Sequence, residues 1–104
     1  MKRVEAIIQT NKLNDVLKGL HNVGIGGVTV IPSQGQGTDE PPLVGELYSK
    51  TTVMTVVEDE KVNDIMNTIA DAVCTNSKGD GKIFVSNVEE SMDICTKEKG
   101  IHTL

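Results

Sequence analysis

The sequence predicts an α+β domain of the split β-α-β kind, four strands in one sheet with two helices packed on it. Three observations carry this. A β-rich run, a helical stripe and a second β-rich run follow one another in the first third of the chain. The same unit recurs in the second half. One long Gly- and Pro-containing stretch separates the two units, giving the order strand–helix–strand, loop, strand–helix–strand.

Each element has its own signal. Val4 to Ile8 reads as a buried strand. Leu13, Val16, Leu17 and Leu20 follow at the i, i+3, i+4, i+7 spacing of an amphipathic helix. Thr10 or Asn11 is placed to cap its start, and Gly24 to close its end. Val28-Thr29-Val30-Ile31 is β-branched and reads as the second strand. From Pro32 to about Ser49 the composition shifts to Gly, Pro, Gln, Thr, Asp and Glu, an exposed loop long enough to carry function; a plain connector is the competing reading. Thr51 to Val57 alternates as a third strand. Val62, Ile65, Met66, Ile69 and Val73 form the second helical stripe, with Met66 read as core. Asn76 to Gly81 is rich in chain breakers, and Ile83-Phe84-Val85 is the fourth strand. The tail from Glu89 to Leu104 is polar, with Met92 and Ile94 as its packing residues. The result is a ferredoxin-like βαββαβ sandwich. Two helices cover only one face of such a sheet, yet the strands carry apolar residues on both, Ala6 and Ile8 opposing Ile7, and Met54 and Val56 opposing Val53 and Val57. That open face predicts self-association, without fixing the number of subunits.

Composition excludes several classes. At 104 residues the chain fits one domain, 1–104, and oligomerisation is a natural source of extra stability. A net charge of −5 leaves no basic footprint for a phosphate backbone, and Tyr48 and Phe84, the only aromatics, offer no stacking platform, so no nucleic-acid partner is expected. No signal-peptide core follows Lys2 and Arg3, and no apolar run reaches the roughly 18 residues of a membrane span. The expectation is a cytoplasmic protein without direct membrane insertion. Cys74 and Cys95 lack a C-x-x-C spacing and are expected to be packing residues rather than a disulfide.

No catalytic or metal constellation stands out, and the chain is not expected to be an enzyme. His21 reads as a surface helix residue. Adjacent carboxylates such as Asp39-Glu40 and Glu89-Glu90 read as solvated faces or helix starts. The informative stretch is Lys78-Gly79-Asp80-Gly81-Lys82. Its glycines allow close backbone approach to a ligand, and Lys82 supplies a point charge suited to phosphate. It is not a P-loop, because the G-x-x-x-x-G-K-[ST] spacing is absent; a plain D-G hairpin turn is the bland reading. Gly35-Gln36-Gly37, at the base of the long loop, again fits close backbone approach.

These residues together resemble the PII signal-transduction, or nitrogen-regulatory, family. The opening Met1-Lys2-Arg3-Val4-Glu5-Ala6-Ile7-Ile8, then Lys12 to Val16, Gly24-Ile25, Gly27 to Val30, Gly35-x-Gly37 and Gly79-Asp80-Gly81-Lys82-Ile83-Phe84-Val85 carry the resemblance. It spans nearly the whole chain outside residues 38 to 49. It implies a homotrimer with sheets facing inward and an adenine nucleotide, ATP, ADP or AMP, in each cleft between subunits. Gly27, Thr29 and Val56 would line the adenine side, with Ile7 nearby. Gly35 and Gly37 would meet the phosphates, as would Gly79, Asp80, Gly81 and Lys82. Residues 36–50 correspond to the family's T-loop, 75–82 to its B-loop and 89–104 to its C-terminal segment. The T-loop would change shape with the ligand and dock on a target protein, a membrane transporter being the partner the resemblance favours and a metabolic enzyme another.

Three departures qualify the resemblance. The loop is shorter than the family's by roughly eight residues, an ordinary site for a deletion, and Tyr48 is not the family's modified tyrosine. Thr38 and Asp39 replace an Arg-Gln pair whose Gln helps hold magnesium and 2-oxoglutarate. Lys50 keeps the position of the lysine used for 2-oxoglutarate, but the missing Gln argues against sensing it and leaves magnesium open. Asp93 and Cys95 replace two phosphate-clamping arginines, which predicts weaker ATP binding, a preference for AMP or ADP, or a different small ligand. Lys97 and Lys99 could partly compensate. The rival reading is a trimeric interaction module that has lost its nucleotide. A third, an acylphosphatase-like hydrolase, wants an arginine phosphate cradle, and Arg3 is the only arginine.

Overall fold

The structure is a computed structural model that describes residues 1–104. Its regular elements are β1 (Lys2–Ile8), α1 (Leu13–Asn22), β2 (Thr29–Gly35), β3 (Tyr48–Val57), α2 (Val62–Val73) and β4 (Gly81–Asn87). The four strands form one sheet in the order β2-β3-β1-β4, every neighbouring pair antiparallel. β3 is inserted between β1 and β2, which makes this the split β-α-β arrangement.

The core follows from strand alternation. Val4, Ala6 and Ile8 of β1 and Val53 and Val57 of β3 point to the helix side, where they meet Val16 and Leu20 of α1 and Ile65, Ile69 and Val73 of α2. Their helical spacing puts these side chains on one stripe, and at least nine-tenths of each is buried. The helices lie against each other so closely at Gly19 that a Cβ there would sit 3.0 Å from the Thr68 methyl.

The opposite face carries Ile7, Met54, Val56, Ile31 and Phe84 in neighbouring register, the last two about half exposed. No element of the chain covers it. No helix is long and apolar enough to cross a membrane.

Several expectations need correction. The second strand runs on through Pro32 to Gly35, and the third begins at Tyr48, so the irregular loop is shorter than 32–49. β2 is an edge strand, where the missing proline N–H costs no ladder hydrogen bond. α1 is entered through a single 3-10 turn, Thr10–Lys12, with no side-chain cap; Thr10 instead hydrogen-bonds the Thr51 hydroxyl at 3.0 Å. Gly24 does close the helix, at φ 86°. Met66 is half-buried rather than fully in the core. Cys74 and Cys95 are free but exposed. Met92 and Ile94 are 50% and 88% exposed in the single chain, because the tail folds on itself through a Met92–Lys99 bridge instead of reaching the core.

Candidate functional site

The two glycine stretches come together at one end of the sheet. β1 ends beside the start of β4, Ile8 opposite Gly81, and β2 ends beside the start of β3, Gly35 opposite Tyr48. Gly81 has to be glycine. Its φ is +134°, and a Cβ would fall 2.2 Å from the Ile7 carbonyl oxygen. Gly79 also has positive φ, +83°, and its carbonyl accepts a hydrogen bond from Gln9 Nε2 at 2.5 Å. The turn is thus pinned to the end of β1.

Asp80 shapes this turn from within. Its carboxylate accepts from the Thr75 hydroxyl at 2.5 Å, the Thr75 N–H at 2.8 Å and the Ser77 N–H at 3.3 Å. The Thr75 hydroxyl, with these N–H groups, holds the Asp80 carboxyl below the usual carboxylate range. The side chain of Asp80 therefore braces the loop, and Lys78 and Lys82 stand exposed on either side of it.

The base of the long loop is organised by Glu40, a residue that reading the sequence passed over as part of a solvated pair. The Glu40 Oε2 lies 2.8 Å from Lys50 Nζ, and both side chains are deeply buried, 10% and 6% exposed. Its Oε1 accepts from the Gly37 N–H at 2.8 Å. A Cβ added at Gly79 would come within 3.1 Å of Oε2. One carboxylate thus sits between both glycine stretches. The Lys50 ammonium, with the Gly37 N–H, holds it below the usual carboxylate range. Around it, the Gln36 amide donates to the Glu40 carbonyl at 3.2 Å, and the Tyr48 hydroxyl donates to the Pro41 carbonyl at 2.6 Å. The only sequence signal was the charge complementarity of Glu40 and Lys50, ten residues apart with two prolines between.

Two clefts flank this constellation. One, of about 320 Å³, is lined by Ile8, Ile69, Val73, Cys74 and the Asp80–Ile83 run. The other, of about 570 Å³, is lined by Thr10, Leu13, Pro32, Ser33, Lys50 and Thr51 among others. Of the ten expected ligand residues, Asp80, Gly81 and Lys82 line the first cleft. Gly35, Gly37, Gly79 and Ile7 share their end of the sheet. Gly27, Thr29 and Val56 belong to its other half: Ile7 pairs with Thr52 and Thr29 with Met54. Thr52 and Val56 lie four residue steps apart along β3, about 13 Å of extended chain. One chain therefore does not place Ile7 beside Val56. No group of three or more His, Cys, Asp or Glu side chains is arranged to hold a metal ion.

Fold and site define a split β-α-β domain whose two glycine turns gather around one carboxylate at the base of the loop between β2 and β3. The description of one family, nitrogen regulatory protein P-II, matches residues 1–98. The nitrogen regulatory protein P-II of Rhizobium meliloti (strain 1021) is 38% identical over 112 aligned positions, covering 100% of each chain. That of Azospirillum brasilense is 40% identical over 108 positions, 96% of each. A nitrogen fixation nifHD region GlnB-like protein 1 from Methanothermococcus thermolithotrophicus is 34% identical over 105 positions, covering 97% of this chain and 100% of that one. The chain belongs to the P-II family. The alignment with the Rhizobium protein exceeds this chain's 104 residues by eight positions, in keeping with a shortened loop.

Proposed function

We propose that this P-II protein is a homotrimeric sensor that takes an adenine nucleotide between subunits and reports it through residues 36–50 to a target protein, a membrane transporter or a metabolic enzyme. The observation that carries the reading is the convergence of Gly37, Gly79 and Lys50 on one carboxylate, an anion seat built from two loops.

The spread of the expected residues supports the trimer. Gly27, Thr29 and Val56 of one subunit would face the Gly35–Gly37 and Gly79–Lys82 end of a neighbour, with the open apolar faces buried at the centre. Lys82 and the bare N–H groups would meet phosphate, as charge-assisted and backbone donors do. Magnesium, where present, would ride on the nucleotide, since the chain offers no cluster for it. Leu43, Val44 and Leu47, all at least 41% exposed, give the loop an apolar tip for the target.

The test is thermal unfolding with ATP, ADP and AMP at 1 mM, alongside sedimentation for the oligomer. A ~10 μM binder adds about 2.7 kcal/mol to the folded state. The midpoint then rises by roughly 10 °C or more, on the scale of roughly 4–8 °C per kcal/mol for a domain of this size. Unchanged midpoints with all three nucleotides contradict nucleotide sensing. A trimer whose midpoint none of the three nucleotides moves favours the interaction module, which Asp93 and Cys95 at the phosphate-clamp positions would suit.

A further inference from the structure

The Glu40–Lys50 pair has the chemistry of an occupied ligand site. Lys50 is a nearly buried ammonium, and among the ion pairs of this chain its partner is Glu40 alone. The carboxylate also takes the Gly37 N–H and lies against the bare backbone of Gly79. An ammonium, a loop N–H and a side-chain-free glycine are what a bound anionic group would use. Here the chain supplies the anion itself.

We propose that Glu40 is an internal anion that competes with the phosphates of the ligand, and that its displacement from Lys50 and Gly37 releases the loop over residues 36–50. This rests on the reading that the Gly79–Lys82 turn receives those phosphates. The coupling is steric and electrostatic. The Glu40 Oε2 stands in the space directly over Gly79, and a phosphate brought there meets a like charge in a partly dry seat. The two occupants exclude each other. The loop is tied to the sheet through that residue and its neighbour: Gln36 holds the Glu40 carbonyl and Tyr48 the Pro41 carbonyl. Freeing Glu40 therefore loosens the whole base of the loop, and Glu40 acts as a positioning residue that converts site occupancy into loop state.

The chain has a native reporter. Tyr48 is the only tyrosine and tryptophan is absent, and Lys50 Nζ stands 5.5 Å from the Tyr48 ring centre. The experiment follows Tyr48 emission and calorimetry during ADP titration of the wild type, Glu40→Gln and Glu40→Ala, with amide exchange of residues 36–49 measured without ligand. The wild type should show a saturable Tyr48 change at the concentration where heat is released. Both variants should bind ADP at least tenfold more tightly. Their loop amides should exchange at least tenfold faster without ligand, and added ADP should change Tyr48 little further. Should Glu40→Ala fail to fold, Glu40→Gln carries the comparison by removing charge at constant size. Equal ADP affinity in wild type and variants, or unchanged exchange, overturns the inference while leaving the proposed function standing. Absence of ADP binding to all three proteins overturns both.

Discussion

At the scale of single residues, Glu40 and Gly81 have neighbours that leave them little choice. Glu40 is held ionised by Lys50 first and the Gly37 N–H second, so its carboxyl titrates below its ordinary value of 4.5. A carboxyl whose folded value is depressed contributes stability above the unfolded value and loses it as pH falls through the folded one. The Glu40–Lys50 contact is therefore complete above pH 4.5 and lost on further acidification. NMR titration of the Glu40 side-chain carboxyl should give a midpoint below 4.5, moved upward in Lys50→Met. A midpoint unmoved by that substitution would show that the pair is not what holds the charge. Gly81 is the second case. Gly81→Ala forces a Cβ to within 2.2 Å of the Ile7 carbonyl at a φ of +134°. Backbone strain alone costs of order 1–3 kcal/mol, and the clash adds to it. The expected result is a melting point lower by about 10 °C or more in a chain of this size. An unperturbed midpoint would mean that β1 and β4 are not joined as described.

At the scale of elements, the helices were legible and the loop was not. The stripes Val16–Leu20 and Ile65–Ile69–Val73 announce a buried face because helical spacing is a local property. Ile69 is 2% exposed, and Ile69→Ala should cost roughly 2–5 kcal/mol in denaturant unfolding, against little change for the exposed Val44. A loss below 1 kcal/mol would place α2 away from the sheet. The extent of β2 was hidden because Pro32 reads as a breaker, and only the sheet order shows it on an edge where it is tolerated. The glycine runs at 35–37 and 79–81 were visible as motifs. Glu40 was not, since adjacent carboxylates usually face water and its partner Lys50 lies across the loop. The packing expected of Met92 and Ile94 failed for another reason: the tail satisfies its backbone locally, Asp93 N–H to the Glu98 carbonyl and Gly100 N–H to that of Ser91, and neither side chain joins the core.

At the scale of the whole molecule, the open sheet face carries the argument. Ile7, Ile31, Met54, Val56 and Phe84 form an apolar surface that the chain's two helices, both on the other side, leave uncovered. Sequence alternation disclosed apolar groups on both faces of the sheet, while the number of subunits belongs to the proposal. Phe84→Glu places a charge where the proposed trimer is dry, so sedimentation should show monomers at a micromolar concentration at which the wild type should sediment as a trimer. A trimer unaffected by the substitution would put the subunit contact elsewhere. Assembly and sensing are linked in this account, because each cleft needs Gly27, Thr29 and Val56 from one subunit and the glycine turns from another.

The central claim is that the two glycine turns and Lys82 form a phosphate seat, and calorimetric titration with ADP tests it most directly. Wild-type protein should bind one nucleotide per chain, and Lys82→Ala should bind at least tenfold more weakly while keeping the same oligomeric state. No heat with ATP, ADP or AMP at millimolar concentration, or equal affinity in Lys82→Ala, would contradict it.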